Sequence, residues 1–212
     1  MSNPSPRRAL IVIDVQNEYI DGKFRIEYPS VADSLPKIER AMDFAKERGI
    51  PIVVVQHVLS PDAPIFASGS TGVEVYPSIA ARHRDHLLTK TLPSCFAGTE
   101  FGAWIEDHAV DTLVIVGYMT HNCDDSTTRE AAHRGYQVEL LHDAAGSLPY
   151  ANKAGSATAA EIHRATCVVM QSTFAAVMST EEWMKAVDSG EAPERDNIYA
   201  SNQRAIAQQA AR

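Results

Sequence analysis

Residues 112–142 read TLVIVGYMTHNCDDSTTREAAHRGYQVELLH, from Thr112 to His142. Thr112–Gly117 is a short, β-branched apolar run without alternation, the pattern of a strand buried on both faces of a parallel sheet. A turn follows, and then a helix predicted over Asn122–Arg134. That helix closes on Arg134-Gly135. The cation suits the negative end of the helix dipole, and the glycine takes the left-handed position after the last turn. A second apolar run, Gln137–His142, begins directly afterwards. Strand, helix and strand with short joints make a βαβ unit, which points to the α/β class.

The same pattern extends along the chain. Strands are predicted at Ala9–Val15, Ile52–His57, His86–Thr89 and Thr166–Met170, and helices at Val31–Arg48, Thr99–His108, Lys153–Arg164 and Thr180–Asp188. The piece Lys46-Glu47-Arg48-Gly49 repeats the cation–glycine ending just before a strand. Leu59–Ser78 carries Pro61, Pro64 and Pro77 and has little regular pattern, so it reads as a lid or binding wall, with a mobile surface insertion as the alternative. Residues 189–212 form a polar arm, either a disordered tail or an arm laid on a second subunit. No repeat or linker divides the chain, and one domain over 1–212 is expected.

Composition narrows the classes of partner. The 212 residues hold 19 Lys+Arg against 27 Asp+Glu, a formal charge of −8, and the pI is near 5.4. Binding to nucleic acid or anionic membranes depends on clustered basic residues, so neither is an expected partner. Half of that net charge lies in Glu181–Asp196, with six acids and two bases, away from the candidate site residues below. Cys95, Cys123 and Cys167 form no CxxC pair, and their odd number argues against a disulfide framework. Only five apolar residues, Ala9–Ile13, precede Asp14, too few for a secretory or membrane-spanning segment, and a cytoplasmic location is the expectation.

Three residues carry chemistry. Open parallel sheets bind ligands at the carboxyl ends of their strands. Asp14 stands at such an end, after Leu10-Ile11-Val12-Ile13, as either a turn residue or a poised carboxylate. Cys123 follows another strand and opens a helix that Asn122 can cap, where partial positive charge is expected to lower its pKa. The other reading is a buried structural cysteine. Asp124 and Asp125 would repel a thiolate, so a nearby cation is needed. Lys90, just after an apolar strand in His86-Leu87-Leu88-Thr89-Lys90-Thr91-Leu92-Pro93, is the candidate, although a lone lysine is ordinarily a solvated charge.

The run Ile13-Asp14-Val15-Gln16-Asn17, the segment from Lys90 to Phe96-Ala97-Gly98-Thr99, and Val116-Gly117-Tyr118-Met119-Thr120-His121-Asn122-Cys123 together resemble the isochorismatase-like cysteine hydrolases. That superfamily includes nicotinamidases, N-carbamoylsarcosine amidases and ureidoacrylate-type amidohydrolases. The resemblance implies a three-layer α/β/α sandwich around a six-stranded parallel, Rossmann-like sheet of order 3-2-1-4-5-6. It implies a catalytic triad of Asp14, Lys90 and Cys123, a cis peptide between Tyr118 and Met119, and an oxyanion hole from the Met119 and Cys123 backbone N–H groups. The implied activity is hydrolysis of an amide-like C–N bond in a small molecule through a thioester. No cofactor is implied, and a homodimer or homotetramer is.

Several residues admit more than one reading. His121, two residues before Cys123, invites a Cys–His dyad, but that would leave Asp14 unexplained. His57 ends a strand, yet the Asp-x-His metal-ligand pair of nicotinamidases is absent from Val55-Gln56-His57, so it is read as a pocket wall or a packed histidine and no metal is expected. Gln16, Tyr19, Phe24, Phe66 and Phe96 are the remaining candidates for a substrate pocket. Phe101, Trp104, Ile105 and His108 recur at helical spacing as a core stripe, and Cys95 and Cys167 read as inert packing. An isochorismatase-type vinyl ether hydrolase and a catalytically silent or ligand-binding α/β module are the alternative functions. No GxGxxG follows the first strand, which counts against a dinucleotide-binding module.

Overall fold

A computed structural model describes residues 6–211; Met1–Ser5 and Arg212, the two ends of the expected 1–212 domain, lie outside the described residues. The chain runs β1 (Arg8–Ile13), α1 (Asn17–Ile20), α2 (Val31–Glu47), β2 (Ile52–His57), α3 (Pro77–Ala80), β3 (His86–Lys90), α4 (Phe101–Asp107) and β4 (Thr112–Tyr118). A π-helical turn, Thr120–Asp124, leads into α5 (Asp125–His133) and β5 (Gln137–Gly146). The hairpin β6 (Tyr150–Asn152) and β7 (Gly155–Ala157), then α6 (Ala159–Gln171), β8 (Ala176–Met178), α7 (Thr180–Ser189) and α8 (Ile198–Ala210) complete it.

Six strands form a parallel sheet in the order β3-β2-β1-β4-β5-β8. Their apolar runs serve two cores because successive side chains point to opposite faces. Leu10 and Val12 pack with Val54, Val114, Ile38, Met42 and Trp183, beneath α2 and α7. Ala9, Ile11 and Ile13 pack with Val53, Ile115, Phe101, Ile105 and Met170, beneath α4, α5 and α6. The result is the expected three-layer sandwich. The strand order reverses between β1 and β4, which opens a crevice at their carboxyl ends. Gly117 allows the two strands to close there. Its φ is +119°, and a Cβ at that position would lie 2.0 Å from the Ile13 carbonyl oxygen.

Three expectations are corrected. Thr166–Met170 is not the sixth strand but the end of α6, and Ala176–Met178 takes that place in the sheet. A capping box between Thr158 and Glu161 starts this helix, His163 and Met170 turn inward seven residues apart, and Val168 and Val169 are exposed. Helix is also absent from Lys153 to Ala157, where the β6–β7 hairpin stands instead, with Gly155 at φ +134°. His108 leaves the core stripe and stacks on Trp104 at its edge.

The segment expected as a lid or wall holds no long element but is tied at both ends. Leu59 bridges to Ala67, and Val75 bridges to Gln16. The polar arm carries α8, whose residues are all at least partly exposed. Among the described residues no helix is long and apolar enough to cross a membrane.

Candidate active site

Asp14 ends β1 in a left-handed conformation, φ +52°, which an aspartate tolerates better than most residues but which still costs about 1 kcal/mol. The backbone is pinned there by Asp14 N–H donating to Val55 O and by Gln16 N–H donating to Asp14 O. The turn aims the carboxylate into the crevice instead of along the sheet. Lys90 closes β3 two strands away, in register with His57 on β2. Cys123 sits within the π-helical turn that follows β4, so three carboxyl ends of the sheet converge on one point.

That point is the Lys90 ammonium. Lys90 Nζ donates to Asp14 Oδ2 at 2.7 Å, to His57 Nδ1 at 3.1 Å and to Cys123 Sγ at 3.3 Å. An ammonium has three N–H donors, so all three are used. Asp14, Lys90 and Cys123 are each 3% exposed or less. Asp14 Oδ1 has no hydrogen-bond partner among the described residues. Donor atoms of Asp14, His57 and Cys123 lie within 4.8 Å of one another, close enough to hold a metal ion. The Lys90 ammonium, however, already sits in hydrogen-bond contact with all three residues and serves as their cation.

Electrostatics correct two expectations. Burial raises the Cys123 thiol pKa well above its ordinary value, and the Asp14 carboxylate raises it further, against the opposing pull of Lys90. The resting sulfur is therefore a thiol beside a carboxylate, and its pKa is raised where the helix N-terminus was expected to lower it. On Lys90 itself burial pulls the pKa down, but Asp14 and then Cys123 outweigh it and hold the ammonium charged. Asp124 does not repel the sulfur as expected. It is fully buried, its oxygens have no partner among the described residues, and burial raises its pKa, which disfavours the charged form. Asp125 is paired to Arg129 at 2.8 Å.

A cavity of about 300 Å³ opens on the sulfur. Tyr19, Phe24, Leu59, Ile65, Phe66 and Met119 supply apolar walls, while His57, Thr91, Asn122 and Tyr150 supply its neutral polar groups. The Tyr118–Met119 peptide is cis, as the resemblance implies, and the Met119 N–H has no acceptor among the described residues. Leu59, Ile65 and Phe66 show that the 59–78 segment is a wall of this cavity.

Of the predicted pocket residues, Tyr19, Phe24, His57 and Phe66 line the cavity, and two do not. Gln16 is fully buried, with its Nε2 donating to the His57 and Val73 carbonyls and its Oε1 accepting from His57 N–H. It braces the site from behind. Phe96 packs on Phe101 and lies beneath the Arg134 guanidinium. His121 bonds Ser147 Oγ through Nδ1 at 3.0 Å and packs against Tyr150, so it is not a partner of Cys123. The sequence reading missed Tyr150, because its hairpin was not foreseen. It also missed Thr91 and Asn122, whose adjacency to Lys90 and Cys123 was the available signal.

The model of the Isochorismatase domain matches residues 8–182 of this chain, which spans every element of the sheet and all three converging residues. The chain belongs to the isochorismatase family. The crystal structure of a provisional isochorismatase from Burkholderia xenovorans LB400 is 55% identical, covers 98% of this chain and 100% of its own, and superposes with a TM-score of 0.96. An uncharacterised isochorismatase family protein of Bacillus subtilis is 28% identical over 84% of this chain and 98% of its own length. A streptothricin hydrolase of Streptomyces noursei is 30% identical over 65% of this chain and 49% of its own. This isochorismatase-family chain is thus one of a group of hydrolases. Its matched region ends at residue 182, before α8 and the rest of the polar arm.

Proposed function

We propose that this isochorismatase-family protein hydrolyses the C–N bond of a small amide, carbamoyl compound or lactam through a thioester on Cys123. The observation that carries this reading is the buried Lys90 ammonium bonded at once to Asp14 and to Cys123, whose sulfur faces an open cavity. A hydrolase of vinyl ethers has no use for a buried thiol in that position, whereas acyl transfer does.

The chemistry follows from the resting state. Cys123 begins as a thiol, so it must lose its proton as it attacks, and the free Asp14 Oδ1 is the base within reach. Sulfur adds to the carbonyl carbon, and the Met119 and Cys123 N–H groups receive the oxyanion. Asp14 then passes the proton to the departing nitrogen, and the C–N bond breaks. Water, giving a proton to the same carboxylate, attacks the thioester; the C–S bond breaks, the acid leaves, and Asp14 returns the proton to sulfur. Lys90 offsets the negative charge as it shifts between carboxylate and sulfur. The relative named as a streptothricin hydrolase supports hydrolysis as the reaction class.

Ammonia or amine release from a panel of primary amides, carbamoyl compounds and lactams tests the reading. Wild-type protein should turn over at least one class, while Cys123→Ala and Asp14→Asn should each lose at least about 10³-fold, with unchanged circular dichroism. Undiminished turnover by Cys123→Ala would overturn it. Survival of Asp14→Asn together with loss in His121→Ala would instead favour the dyad.

A further inference from the structure

His57 stands beside the triad without being one of its three members. The residue is held from three sides, by its backbone and on two sides of its ring. Gln16 fixes its backbone N–H at 2.9 Å and its carbonyl at 2.9 Å. Phe66 packs edge-on against it, with centroids 5.6 Å apart. Lys90 donates to its Nδ1 at 3.1 Å. The last contact decides the proton position, since an ammonium only donates and Nδ1 must therefore accept. The imidazole is then neutral with its hydrogen on Nε2. Burial, reinforced by the Lys90 charge, disfavours a second proton. Nε2 has no partner among the described residues and is not sealed from solvent.

The rest of the cavity has a consistent chemistry. Among the described residues no arginine or lysine lines it, and Lys90, buried behind His57 and Cys123, has all three donors engaged. Its other polar groups, Thr91, Asn122 and Tyr150, are uncharged. A substrate carboxylate would be desolvated here without a counter-ion, which is far more costly than burying a hydrogen-bonded neutral group.

We infer that His57 Nε2–H is a substrate-binding donor that makes the site selective for compact neutral molecules bearing a hydrogen-bond acceptor in addition to the scissile amide. This inference rests on the amidase reading for which bond is scissile. The scissile carbonyl faces the Met119 and Cys123 N–H groups, and the second acceptor, such as the far carbonyl of a diamide, imide or ureide, meets His57. An acidic analogue of the same size is excluded.

Protection of Cys123 from iodoacetamide, followed by mass mapping, tests this with three primary amides of four-carbon acids: succinamide (neutral, two carbonyls), butanamide (neutral, one carbonyl) and succinamate (an amide with a carboxylate). Succinamide should protect at a concentration about three- to tenfold below butanamide, the value of one neutral hydrogen bond. Succinamate should be at least about tenfold weaker than butanamide. In His57→Asn, whose amide can still accept from Lys90 but does not reach the cavity, succinamide should fall to the level of butanamide. His57→Gln, whose Nε2 occupies the place of the imidazole Nε2, should restore most of the difference. Equal protection by succinamide and butanamide, strongest protection by succinamate, no protection by any of the three, or an unchanged order in a folded His57→Asn would each overturn the inference. Ammonia release is measured separately on the same compounds. Selective protection without release removes the hydrolase reading but leaves the binding role, and release without the predicted order does the reverse.

Discussion

Lys90 has no substitute in the site, because the other groups in contact with its ammonium are a carboxylate, a thiol and a neutral imidazole. Lys90→Met would strand the buried Asp14 carboxylate, and loss of one partner of a buried pair costs about 3–5 kcal/mol. The urea midpoint of this variant should fall accordingly, and turnover should be lost. A variant as stable as wild type would show that the Lys90–Asp14 pair contributes little to the stability of the fold. Asp14, Lys90 and Cys123 were legible in the sequence because Asp14 and Lys90 close apolar strands and Cys123 stands in the turn after another, and strand ends are where a parallel sheet exposes function. The protonation state of the thiol was not legible. A helix terminus contributes about 0.3–1 kcal/mol, less than one pKa unit, whereas full burial shifts a pKa by up to 3–5 units. Cys123, 3% exposed beside Asp14, follows the larger effect. Gln16 and Phe96 were misplaced for a related reason. Proximity in sequence to a catalytic residue does not say toward which side of the backbone a side chain turns.

At the scale of elements, the sharpest dependence is the closure of β1 on β4. Gly117→Ala places a methyl group against the Ile13 carbonyl in a backbone conformation that L-residues avoid. The strands must separate at the residue before Asp14. We expect a loss above about 3 kcal/mol, as overpacking and positive φ act together, read as a drop in melting temperature. An unchanged melting temperature would mean that the crevice tolerates a wider β1–β4 spacing. Long elements were legible from periodicity, and the errors fell where local signals compete. Thr166-Cys167-Val168-Val169-Met170 is β-branched, yet it is the last turn and a half of a helix whose capping box lies eight residues upstream. Propensity over five residues is weaker than a cap plus the burial of His163 and Met170. The Tyr150–Ala157 hairpin is short and exposed along most of its length, so no alternation announced it.

Across the whole molecule, buried histidines make stability depend on pH. Burial lowers the pKa of His57, His121 and His163, the last to about 4 with further contributions from His142 and His121. Between about pH 6.5 and 4 the unfolded chain binds protons on His163 that the folded chain does not, so this residue's contribution to stability is lost as pH falls through that window. Asp124 works in the opposite sense, because its raised pKa means that the folded state holds a proton the unfolded state releases. The net slope therefore mixes signs, and a difference isolates one of them. His163→Asn should lose less melting temperature than wild type between pH 7 and pH 4.5, and parallel curves would remove His163 as a contributor. By itself the sequence determined the α/β class, the parallel strands that supply the first five places in the sheet, and the three residues that the fold brings together around the Lys90 ammonium. Those follow from local apolar patterning and from the family resemblance of the motifs. Only the tertiary structure decided the sixth strand, the use of all three Lys90 donors, the tautomer of His57, the protonated state of Cys123 and the wall formed by residues 59–78. Each of these depends on the distance, orientation or desolvation of groups far apart in the chain, and such quantities exist only once the sheet has brought them together.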